Sequence, residues 1–227
     1  MKLKKIASLM LAGVMAVSML AGCSGNNTTD PENPDDGQVV VPTGTVGKVI
    51  AALDSSVTDD VTVSANASLE AALQKAVENA GLANISSWNK TTLQTTLKDI
   101  DDTLNFASTI PQVRLDGTGD ATDKEEQNFS FIVTMENYKG SDEDYVVGKI
   151  ADAIEEQGVM QKWGGGYLNM NDELPAKSDI YKENTSDEYR YNFDYTADVA
   201  VVCVTDAVTG TTTYVAVCDV TRTPTKV

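Results

Sequence analysis

Hydrophobic and polar positions alternate most regularly near the end of the chain. From Tyr189, the residues Tyr191, Phe193, Tyr195, Ala197, Val199, Val201 and Cys203 share one parity. Arg190, Asn192, Asp194, Thr196 and Asp198 hold the other, until Ala200, Val202 and Val204 make both sides apolar. A period of two is the signature of a strand with one face inward. The run over 189–204 is too long for one flat strand, so a bend or bulge is expected. Asp206 and Gly210 suit a hairpin turn, and the return strand covers 212–222. Its centre is apolar on both sides, which places the hairpin in the middle of a sheet. A shorter alternation, Phe129, Phe131, Val133 and Met135, predicts a strand over 129–136.

Earlier positions repeat at helical spacing. Val46, Val49, Ile50 and Leu53 predict a short helix, and Val61 to Val63 a brief strand or extended connector. Asn66 or Ser68 can cap a helix carrying Leu69, Ala72, Leu73, Ala76, Val77 and Ala80 on one face. Thr91 or Thr92 opens another, with Leu93, Leu97, Ile100 and Leu104 on its stripe. Ser141 reads as the cap of a helix bearing Val146, Val147, Ile150, Ala153 and Ile154, which Gly158 ends. The expected fold class is α+β: an antiparallel sheet packed with three to four helices. One domain over 44–223 is expected, its helical half 44–111 preceding its sheet half 112–223, with 224–227 as a tail.

The two cysteines of the hairpin depend on register. If Asp206 pairs with Thr211, Cys203 faces Tyr214 and Cys218 faces Val199, too far apart to bridge each other. If the loop is Thr209 to Thr212, they oppose one another. The turn chemistry favours the first register and free buried thiols.

The amino terminus has a different grammar. Lys2, Lys4 and Lys5 precede a mostly apolar run from Ile6 to Leu20, then Ala21, Gly22 and Cys23. A basic start, a short apolar stretch and small residues form the layout of a secretory signal. Leu20-Ala21-Gly22-Cys23 resembles the lipobox of bacterial lipoproteins. That resemblance implies a signal peptide over 1–22 and a Cys23 thioether-linked to a diacylglyceryl group. Two acyl chains, each buried methylene contributing about 0.8 kcal/mol, hold a protein at a membrane without a spanning helix. The leader's overall likeness to those of Gram-positive bacteria implies the outer face of the cytoplasmic membrane. Residues 24–43 are polar, acidic and proline-bearing, and read as a disordered tether. Twenty such residues reach roughly 25 Å.

Composition narrows the chemistry. The net charge is −17, and losing the three leader lysines makes it −20. A surface this acidic repels phosphate, which argues against a nucleic-acid partner. No histidine is present, so Ser-His-Asp and Cys-His catalysis and histidine metal sites are excluded. Carboxylate pairs, a Ser/Lys pair or a carboxylate metal site remain.

Three groups are candidate binding sites. Tyr189 and Tyr191, with Phe193 and Tyr195, form an aromatic stripe that is first the core side of a strand and second a platform for sugar rings. Trp163 and Tyr167 flank three glycines in a loop that is first a connector and second a flap over a ligand. Asp116, Asp120 and Asp123 lie in an acidic loop, where Ca²⁺ is the candidate ion, although the spacing is not that of an EF-hand. No catalytic residue or cofactor is assigned. The sequence thus predicts a lipid-anchored, extracytoplasmic, non-catalytic binding module whose partner is a wall glycan or an envelope protein. The alternatives are a glycan hydrolase using two carboxylates and a structural accessory of an envelope complex.

Overall fold

The computed structural model describes residues 44–80, 90–106, 123–136, 142–161, 167–170, 174–178, 180–183, 187–205 and 212–227. Within them the protein is α+β, with five helices and a four-stranded, mostly antiparallel sheet. The helices are α1 (Thr45–Ala52), α2 (Ser55–Thr58), α3 (Ala67–Ala80), α4 (Thr91–Ile100) and α5 (Glu143–Glu155). The strands of the main sheet are β1 (Val61–Ala65), β2 (Gln127–Glu136), β7 (Tyr191–Thr205) and β8 (Thr212–Lys226), in the order β1-β7-β8-β2. Two small hairpins pair β3 (Gly158–Gln161) with β4 (Tyr167–Asn169) and β5 (Tyr181–Lys182) with β6 (Glu188–Tyr189).

The long hairpin is central, as its two-sided apolar middle requires. Its register pairs Thr205 with Thr212, Cys203 with Tyr214 and Val199 with Cys218. This is the first of the two registers weighed above. Cys218 is free and buried, and burial raises its thiol pKa. No bulge interrupts the pairing from Tyr191–Lys226 to Thr205–Thr212. The break comes instead at Arg190, which separates β6 from β7 while exchanging backbone hydrogen bonds with Val227. Residues 224–226, read from sequence as a tail, are the last part of β8.

Two details refine the expected α+β fold. The sheet is not purely antiparallel, because β1 joins β7 in parallel, Val61 beside Tyr195 and Ala65 beside Val199. The helices number five among the described residues, since Asp54 caps a single extra turn by accepting from Ser56 N at 2.8 Å. Gly44 precedes the first helix as its N-cap, and its φ of 93° lies where a side chain would be strained. Asn66 caps α3 by accepting from the backbone N–H groups of Ser68 and Leu69, both at 3.0 Å. Asp142 rather than Ser141 caps α5, accepting from Tyr145 N at 2.8 Å. Leu104 lies beyond the end of α4 but is buried all the same.

Helices cover both faces of the sheet, so the residues before 111 do not form a separate helical layer. On one face, Tyr191, Phe193, Tyr195, Ala197, Val199 and Val201 pack beneath α1 and α5. On the other, Ala200, Val202, Val215, Val217 and Ile132 pack beneath α3 and α4. The edge strand β2 is partly closed by side chains and by the 103–105 segment. Lys90 donates to Ile132 O at 2.9 Å, and Ser130 N donates to Asn105 O at 3.0 Å. Filling the outward groups of an edge strand discourages pairing with a foreign strand. Among the described residues no helix is long and apolar enough to cross a membrane.

Candidate functional site

The second sheet face changes character along its length. Around Ala200, Val202, Val215, Val217 and Ile132 it is apolar and covered. Below that level every inward partner becomes polar. The first polar row crosses all four strands: Ser64, Asp198, Asp219 and Ser130. The next is Thr62, Thr196, Thr221 and Asn128. Then follow Asp194 beside Thr223 and Asn192 beside Thr225, with Lys177 bridged to Asn192. Partners in register share a face, so these side chains form one array. Thr62, Asp194, Thr196, Thr223 and Thr225 are exposed. The helix α3 cannot cover them, because it starts at the level of Val199, where Asn66 N donates to Val199 O at 3.2 Å.

A small cleft marks the border between the covered and open halves. Asn66, Ser68, Asp101, Thr103, Asp198 and Asp219 line its polar wall, and its volume is about 100 Å³. Asp198 and Asp219 sit directly opposite each other on β7 and β8. Like charges so placed destabilise a sheet unless something holds them apart. Here each carboxylate is drawn to its own side. Ser64 Oγ donates to Asp198 Oδ1 at 2.9 Å, and Asn66 Nδ2 donates to Oδ2 at 2.8 Å. Ser130 Oγ donates to Asp219 Oδ1 at 2.6 Å. Burial still raises the Asp219 pKa against the lowering effect of Ser130 and Asn128, and Asp198 and Asp101 add to the rise. Asp101 Oδ1 accepts from Thr103 N at 3.1 Å and Thr103 Oγ1 at 2.6 Å.

The sequence-predicted site residues scatter. Tyr191 is buried, with ring centroids 6.2 Å from Tyr181 and 5.9 Å from Tyr189. Tyr189 is half-buried, and Lys226 Nζ lies 4.0 Å from its ring centroid. The aromatic stripe is therefore the core side of β7, with Tyr189 at its rim. Asp123 is buried rather than solvated: its Oδ1 lies 3.6 Å from Arg222 Nη1, and Oδ2 accepts from the Tyr181 hydroxyl. Arg222 is 1% exposed and stacks 4.2 Å from the Phe193 ring centroid. An ion pair this deep is anchored by its neighbours. Tyr195 beside it donates to Pro175 O at 2.9 Å, and burial raises its hydroxyl pKa. Tyr167 opens β4, while Cys23, Asp116, Asp120 and Trp163 lie outside the described residues. Among the described residues no three His, Cys, Asp or Glu side chains gather to hold a metal ion.

Sequence reasoning missed the open half-face, although its signal was present. The polar parity of β7 was visible, but not that the same rows continue through β8, β1 and β2. Asp219 stood in an apolar run without a partner until the register supplied Asp198.

No family model, no curated protein and no solved structure matches this chain.

Proposed function

We infer that this protein is a membrane-anchored, extracytoplasmic lipoprotein acting as a non-catalytic binding module. One observation carries the anchor: Leu20-Ala21-Gly22-Cys23 directly follows a basic start and a short apolar run. The acidic stretch to residue 43 then spaces the folded part from the lipid. The open polar half-face supports the binding role, because Thr62, Asp194, Thr196 and Thr225 present exposed side-chain donors and acceptors there. The border cleft supports it less. At about 100 Å³ it is smaller than the roughly 300–1,000 Å³ of small-molecule sites.

The test is the mass of the amino-terminal peptide from membrane-extracted protein. A diacylglyceryl thioether on Cys23 is expected, and Cys23→Ala is expected to stop the processing and lipid labelling. An unmodified Cys23 sulfur, with the polypeptide released into the medium, would overturn the anchor.

A second reading rests on a specific pair. Asp219, with its raised pKa, faces Asp198 across two strands, which is the raw material of acid-base chemistry on a glycosidic bond. Release of reducing sugar from wall glycan by the unaltered protein, lost in both Asp198→Asn and Asp219→Asn, would favour this hydrolase over the binder.

A further inference from the structure

We draw no further inference here: the strongest candidate, the small cleft at the border of the covered sheet face where Asp198 and Asp219 oppose each other on β7 and β8 with Asp101 beside them, belongs to the site already described and is an acidic cluster to which nothing else among the described residues adds a sign of a ligand.

Discussion

The two halves of one sheet face differ most in their side chains. The strands β7 and β8 run through both with a continuous register. Ala200, Val202, Val215 and Val217 lie under α3 and α4, whereas Asp194, Thr196 and Thr223 are exposed. The helices sit where the side chains of this face are mostly apolar. Burying a valine contributes about 1.5–3 kcal/mol, but covering a threonine or aspartate without a new partner costs free energy. So the helical layer stops where the apolar rows stop. A sheet that could have been covered throughout is left half open.

The largest test of this contrast moves a polar residue across the border. Ala200 is fully buried beneath α3, and Thr196 is exposed four residues away on the same face. Ala200→Asp is expected to cost more than about 4 kcal/mol, enough to unfold a marginal domain. Thr196→Asp is expected to stay near ~0.5 kcal/mol. Urea unfolding followed by circular dichroism reads both. Similar losses at the two sites would mean that the lower half is covered in solution.

A smaller effect comes from hollowing the covered half. Leu73 on α3 is fully buried, so Leu73→Ala is expected to lose about 2–5 kcal/mol. Thr223→Ala on the open half is expected to be near neutral, within ~0.5 kcal/mol. Smaller still is the loss at the border itself. Asn66 caps α3 with Oδ1 and holds Asp198 with Nδ2. Asn66→Ala is expected to cost about 1–2 kcal/mol, the upper end reflecting the stranded carboxylate. Asn66→Asp keeps the cap and loses the donor to Asp198. A loss for Asn66→Asp as large as for Asn66→Ala would show that the Asp198 contact, and not the cap, sets the stability.

Most elements of the fold were legible because each writes its own period into the chain. The stripe of α3, the cap at Asn66 and the parity of β7 all depend on neighbours within a few residues. What could not be read depends on distance along the chain. The strand β1 is five residues long, and its partner in β7 lies more than 130 residues away. The Asp123–Arg222 pair had no local mark either, so Asp123 looked like a solvated or metal-binding acid. Alternation shows that one side of a strand faces inward. It does not show whether anything lies on the other side, and for β7 the answer changes at Ala200. Only the positions of α3 and α4 reveal that the polar side is open below that residue.

The smallest effect probes the border charge. Asp219 has a folded pKa raised by burial, with Asp198 and Asp101 contributing. For an acid this means that the native state holds the proton more tightly than the unfolded chain does. Ionisation therefore costs stability as pH rises through the unfolded value, near ~3.9, and the full cost is present above the folded pKa. Asp219→Asn removes the charge and keeps an oxygen to accept from Ser130. It is expected to be more stable than the unaltered protein at neutral pH, by less than about 1 kcal/mol after solvent screening. The advantage is expected to vanish as pH falls below the ordinary aspartate range, where both chains are neutral at this position. Thr223→Asp on the open half has no such buried charge, and its small effect is expected not to show that dependence. Parallel urea titrations across acid and neutral pH make the comparison. If Asp219→Asn were less stable at neutral pH, the hydrogen bond from Ser130 would outweigh the opposed charges. The border would then be held together by its ionised aspartate, and the open half would end at a stabilised edge rather than a strained one.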